Sequence, residues 1–148
     1  MSTAEAFWSV AGTSATRLVE LTREECLESL HAKQVGRLGY NTDDGPRIIP
    51  VNYVVTEDAV VFRTVPDGEV ARHALDRSCA FQIDDLDEFF QSGWSVLVVG
   101  VAQLLSEADF QRLRYGAIPE PWADGPRIVF VKVPIMQLSG RQLLPIGR

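Results

Sequence analysis

Residues 60–75 read VVFRTVPDGEVARHAL. Val60, Val61 and Phe62 are consecutive β-branched and aromatic residues, the composition of a buried strand. Arg63 and Thr64 follow, and Pro66-Asp67-Gly68 is turn chemistry. Val70, Ala71, Ala74 and Leu75 then recur at helical spacing, so a short amphipathic helix is expected. Free N–H groups and the positive dipole end at a helix start attract anions. Arg63 adds a planar fork of donors that suits phosphate oxygens, and Thr64 adds a hydroxyl. The junction is therefore a candidate phosphate cradle. A plainer reading stands beside it: an arginine near a strand end is commonly solvated or ion-paired. Glu69, in the first helical turn, also competes for the dipole.

The chain has 148 residues, enough for one domain with a proper core. Its net charge of −6 leaves no general basic footprint for nucleic acid. Two cysteines, Cys26 and Cys79, lie far apart and read as small buried thiols, although a bridge between them is open. His31 and His73 sit at no ligand spacing from either, so no metal site is expected. The N-terminus lacks a basic region followed by an apolar run, and no apolar run is long enough to span a bilayer. The expected location is the cytoplasm.

Residues 1–17 are small and polar apart from Phe7 and Trp8, and read as a flexible N-terminal arm. Residues 18–148 read as a single domain. Leu21–Ala32 is a helix, opened by a Thr22/Glu25 capping box with Leu21 able to staple onto Cys26. From Val35 the period becomes that of strands. Six are expected: Val35–Tyr40, Arg47–Val55, Ala59–Val65, Cys79–Ile83, Trp94–Leu105 and Arg127–Leu138. Asp84–Glu88 reads as an acidic loop reaching Phe89 and Phe90. Ser106 caps a helix to about Tyr115, with Asp109 at its third position. Pro119–Pro126 is a loop holding Trp122, and a tail carries Arg141. Several strands are apolar on both faces, as in Ile48-Ile49, Val96–Val99 and Val129–Val133. Both faces must then be covered, one by a barrel interior and the other by helices or a second subunit. The fold class is mainly β: a six-stranded antiparallel barrel with a few short helices.

Polar residues interrupt this pattern in a few places. Pro50 cannot donate to a ladder and marks an edge, bulge or corner. Asn52 either presents its amide to a flat polar ligand or satisfies local backbone. Trp94 either lies over a ligand ring or closes one barrel end. Arg127 and Arg141 each suit an anion or open solvent. His73 reads as a solvated residue. No nucleophile–base motif and no Walker or Rossmann glycine pattern is present.

Five segments stand in a distinctive order: Val35-Gly36-Arg37-Leu38, Arg47-Ile48-Ile49-Pro50-Val51-Asn52-Tyr53, Val61-Phe62-Arg63-Thr64, Ala80-Phe81-Gln82-Ile83-Asp84-Asp85 and Gly93-Trp94-Ser95-Val96, with Gly100-Val101-Ala102 after them. In this order and spacing, from about Leu18 to Leu143, the chain resembles the pyridoxamine 5′-phosphate oxidase-like family of FMN-binding split β-barrels, in its small actinobacterial-type branch. The resemblance implies a homodimer with two cofactor sites at the interface and FMN as the usual ligand. It implies that Arg63 and Thr64 meet the phosphate and ribityl end, with Gly68 in the phosphate turn. The Pro50-Val51-Asn52 backbone would run along the isoalloxazine, and Trp94 would come from the partner subunit. Arg141 is a further anion candidate. One departure is plain: where the family often carries a Gly-Ser-Lys-like turn, this chain has Asp67-Gly68-Glu69. An anion there opposes phosphate by on the order of a kcal/mol.

The functional expectation is an FMN-dependent oxidoreductase acting on a small substrate. No second basic cluster is assignable for a phosphorylated substrate, which disfavours pyridoxamine phosphate itself. The alternatives are a non-catalytic protein that stores or senses FMN, the deazaflavin F420 or heme, and a dimer whose cofactor pocket has decayed.

Overall fold

The computed structural model describes residues 16–113, 119 and 128–145. Residues 1–15 of the expected arm, the end of the helix after Leu113, Trp122 and Arg127 lie outside them. The elements are β1 (Thr16–Glu20), α1 (Arg23–Ala32), β2 (Val35–Thr42), β3 (Gly45–Val55), β4 (Ala59–Thr64), α2 (Glu69–His73), β5 (Ser78–Asp87), β6 (Ser92–Val101), β7 (Gln103–Leu104), α3 (Glu107–Leu113), β8 (Val129–Pro134) and β9 (Gln137–Pro145). The strands form one antiparallel sheet in the order β1-β9-β6-β5-β2-β3-β4-β8-β7.

The apolar side chains on the inner face of the central strands are fully enclosed. Leu38, Val60, Phe62, Phe81, Val98, Val131 and Val133 are all at 0% exposure. The sheet curls so that these positions meet, which strict period-2 alternation permits. Its two halves close where β6 passes the end of β8. A Cβ on Gly100 would lie 2.0 Å from the Pro134 carbonyl oxygen. Only glycine allows that approach. Helices plug the two ends. At one end α1 buries Cys26 and Leu30 beside Gly140, and Tyr53 Oη donates to the Leu30 carbonyl at 2.6 Å. At the other end α2 contributes Val70 and Ala74 to the same core.

The capping residues behave as their chemistry dictates. Glu25 N–H donates to Thr22 Oγ1 at 3.2 Å, and Thr22 N–H donates to Glu25 Oε1 at 2.9 Å. Ser106 and Asp109 repeat the arrangement for α3 at 3.0 and 3.1 Å. Asp109 also pairs with Lys132 on β8 at 2.7 Å, both side chains being about three-quarters or more enclosed (24% and 15% exposed). Cys26 and Cys79 are buried free thiols. Burial raises the pKa of both, and that of Cys79 is pushed up to about 11.

The mainly β antiparallel barrel stands, with nine strands among the described residues in place of the six expected. The expected fifth strand breaks at Ala102, where the chain crosses from β6 to β7. The expected sixth splits at Ile135-Met136, and β8 and β9 pair with different neighbours. The expected tail is therefore the second half of β9. Thr16–Glu20 pairs with that strand, so residues 16 and 17, expected in the arm, belong to the sheet. Asp84–Asp87 is ladder, not loop: Asp84 faces Ser95 and Asp85 faces Trp94. Its carboxylates are neutralised by Arg37 at 3.1 Å and Lys33 at 2.9 Å, which lets an acidic run extend a strand. The outer face of β8 is covered by α3 through Phe110 on Phe130. The outer face of β3, β5 and β6 carries Ile48, Leu86 and Leu97 at 72%, 49% and 40% exposure.

Two outcomes follow. Gly100→Val should destabilise the fold by more than about 2 kcal/mol in a denaturant titration, because backbone must move to admit the side chain. The Lys132 hydrogen bond, helped by the Ser106 backbone, holds the Asp109 carboxyl down to about 2. A depressed folded pKa stabilises above the unfolded value and is lost as pH falls toward the folded one. Asp109→Asn should therefore cost about 1–2 kcal/mol at pH 6, and the difference from the parent should vanish between about pH 4 and 2.

Candidate functional site

β3 is the strand that serves both halves of the sheet. Gly45–Asn52 pairs with β2, whereas only Tyr53–Val55 pairs with β4. Past the Tyr53–Phe62 pair the two strands diverge, and among the described residues no strand pairs with the second edge of Gly45–Asn52. The result is a slot lined by backbone.

Alternation places the expected site residues on its two lips. Tyr53 and Phe62 are inward pairs, so Asn52 and Arg63 stand on the outer face and Val51 and Thr64 on the inner one. All four are half-buried, and the Asn52 Nδ2 atom is enclosed. Arg63 and Thr64, adjacent in a strand, thus point to opposite faces of the sheet beside the slot. The Arg63 guanidinium lies 5.0 Å from the centroid of Phe130, its cross-strand neighbour, and Phe110 meets Phe130 edge-to-face at 5.1 Å. The ring face holds the guanidinium in one orientation.

Gly68 closes the turn after β4. Its N–H donates to the Val65 carbonyl at 3.4 Å, and a Cβ there would lie 2.6 Å from Val65 Cγ2. Asp67 takes the positive φ of the turn, at 57°. Pro50 is exposed on the outer face, where it borders a cavity of about 480 Å³ with Lys33, Arg37 and Asp84. Trp94 and Arg141 are not brought to the slot of their own chain. They sit on β6 and β9, with β5 and β2 between them and β3. Trp94 packs inward on the core with Lys33 Nζ 5.9 Å from its ring, and Arg141 lies beside Ser95 on the outer side.

Three residues beside the slot escaped the sequence reading as a group. Tyr40 and Arg47 face each other across β2 and β3 on the inner side. Tyr40 Oη donates to Glu69 Oε1 at 2.5 Å. Burial first, and then the Glu69 carboxylate, push the Tyr40 phenol up to about 12. The signal was present: Tyr40 is two positions from inward Leu38, and a buried phenol requires a partner. A second cavity, of about 490 Å³, lies under α3 on the outer face of β4 and β8, with Val54, Val61, Asp109, Leu113 and Lys132 in its wall. None of the residues expected to hold a cofactor lines it, so the slot and not this cavity matches the expected chemistry.

A curled antiparallel sheet that opens between two strands, with one cation and one hydroxyl at the opening, defines a split β-barrel of the flavin-binding type. A family model described as pyridoxamine 5′-phosphate oxidase matches residues 22–142, and the chain belongs to that family. An uncharacterized protein of Mycobacterium tuberculosis is 34% identical over 116 residues, covering 75% of this chain and 76% of that one. The FAD binding protein of Mycobacterium smegmatis superposes with a TM-score of 0.65 at 27% identity, over 85% of this chain and 98% of the other. A conserved protein of unknown function from Corynebacterium diphtheriae does so with a TM-score of 0.67 at 28% identity, over 84% and 96%.

Phe130→Ala removes both the face under Arg63 and the contact with Phe110. It should cost about 2–4 kcal/mol in chemical denaturation, as expected for loss of a packed aromatic.

Proposed function

We propose that this chain is a flavin-dependent oxidoreductase acting on a small substrate, and that it works as a cytoplasmic homodimer. The observation that carries the reading is the slot between β3 and β4, with Arg63 and Asn52 on one lip and Thr64 and Val51 on the other. A flat tricyclic ring suits the backbone edge of Pro50-Val51-Asn52, and a phosphate suits Arg63, Thr64 and the turn at Gly68. FMN is the ligand that the resemblance implies, and F420 has the same layout. FAD is favoured as a second reading by the name of the mycobacterial FAD binding protein. The bound flavin supplies the redox chemistry, and the chain's part is to bind the ring, orient it and exclude water.

The dimer reading rests on the bare outer face. Ile48, Leu86 and Leu97 are exposed there, apolar and on one side of the sheet. A second copy on that face would bring Arg141, which lies on the same outer side, toward the slot of the other subunit, whereas Trp94 points into its own core. No helix among the described residues is long and apolar enough to cross a membrane.

The decisive test is the visible spectrum of the protein after incubation with excess FMN or FAD and desalting. A retained two-band flavin spectrum is expected, bleached by NAD(P)H under anaerobic conditions. A flavin that is retained but never reduced would favour a storage or sensing role. Arg63→Ala should weaken FMN binding by about 1.5–3 kcal/mol, and unchanged affinity would remove Arg63 from the site. Leu97→Glu should shift the protein to monomer in sedimentation velocity, with flavin affinity falling alongside.

A further inference from the structure

We propose that Ile48 of one subunit seats over Gly39 and Ala80 of a second copy, a knob and a hollow that join the two; the inference rests on the homodimer reading above. Gly39 lies in the interior of β2, between Leu38 and Tyr40, which point inward, so its own bare position faces outward. Glycine weakens a strand interior, and there it marks a bulge or a close approach by a ligand or another backbone. Nothing in its own chain asks for one here. Its φ is not positive. A Cβ on Gly39 would lie 3.7 Å from the Ala80 carbonyl oxygen, 3.8 Å from the Ala80 Cβ and 3.9 Å from the Arg47 carbonyl oxygen, all ordinary contacts. Every other glycine among the described residues has either a positive φ or an atom within 2.6 Å of that position. The room at Gly39 is therefore room on the outside of the sheet.

The register shows what borders it. Gly39 faces Ile48 on β3 and Ala80 on β5, and Ala80 faces Val99 on β6. The four form one row across the sheet, two small residues between two branched ones. Strands lie ~4.8 Å apart, so Ile48 and Val99 stand about 14 Å apart, enough for one branched side chain to enter between them. Ile48 itself is 72% exposed, the barest aliphatic side chain on this face. Exposed Arg37 and Gln82 in the next row, and exposed Asn41 further along β2, give the apolar row a polar rim. A foreign partner would need both a hollow for Ile48 and a knob for Gly39, and a second copy has both. A two-fold axis running along the strands between β3 and β2 carries each Ile48 onto the other copy's Gly39–Ala80 floor, and the same operation returns the contact. Five strands, β3, β2, β5, β6 and β9, with about four outward residues each, present roughly 20 residues a side, the size of a standard interface. Ile48 also stands two residues before Pro50 on the same face, so the strand that joins the copies is the strand that lines the slot.

The test is sedimentation equilibrium of the full chain, with melting followed by circular dichroism. Gly39→Leu fills the hollow and should raise the dimer dissociation constant roughly a hundredfold, because each contact occurs twice. Adding Ile48→Ala, which shortens the knob, should recover most of that loss. Ile48→Glu alters a side chain that is mostly in solvent within its own chain, so it keeps the monomer fold and should sediment as monomer; it carries the test if Gly39→Leu does not fold. Leu104→Glu, at a residue 57% exposed on β7, should leave the dimer intact. A dimer indifferent to Ile48→Glu, or dissociated by Leu104→Glu instead, overturns the inference and leaves the homodimer reading standing. So does a combined variant as weak as the sum of its two single changes, since residues that do not touch are additive. A parent that sediments as monomer at every concentration overturns the homodimer reading, and this inference with it.

Discussion

The whole arrangement depends on one strand having to satisfy two partners. β3 is eleven residues long, and its first eight residues follow β2 while its last three follow β4. Over those first eight residues the edge away from β2 pairs with no strand among the described residues, which leaves a slot of ordered backbone. The strands that border it are held on their far sides, β3 by β2 and β4 by β8. Binding groups placed there need little further ordering, and little affinity is lost to it.

The rest of the fold closes away from that slot. The barrel closes on the opposite side by bare backbone contact, Gly100 against Pro134, so no bulky side chain there props the halves apart. The helices at the two ends are fastened by phenols, Tyr53 to α1 and Tyr40 to α2. These two bonds differ in kind. The Tyr53 acceptor is a backbone carbonyl and its bond is structural. The Tyr40 acceptor is a side-chain carboxylate, that of Glu69, in the first turn of α2.

Much of this could be read from the amino acids. The Thr22/Glu25 and Ser106/Asp109 boxes, the buried apolar run that opens β4 and the turn at Gly68 all follow from local chemistry, and the structure has them in place. The strand count was not legible, because the breaks at Ala102 and Ile135-Met136 involve residues with no turn signature. Tertiary pairing, not propensity, ends those strands. The acidic stretch at Asp84–Asp87 read as loop because Lys33 and Arg37, which neutralise it, are about fifty positions away in sequence. At the site, the residues of β3 and β4 were legible because they are contiguous. The Tyr40–Glu69 bond was not, since nothing in a sequence says which of several carboxylates a buried phenol will find.

The two sulfurs that could intercept electrons are both sealed inside the wall. With its thiol at about 11, Cys79 is ionised to about one part in ten thousand at neutral pH. Cys26 is shifted in the same direction and lies against Gly140 under α1. Neither offers a thiolate to peroxide or to a disulfide. Chemistry at the slot thus proceeds without a competing cysteine thiolate from this chain.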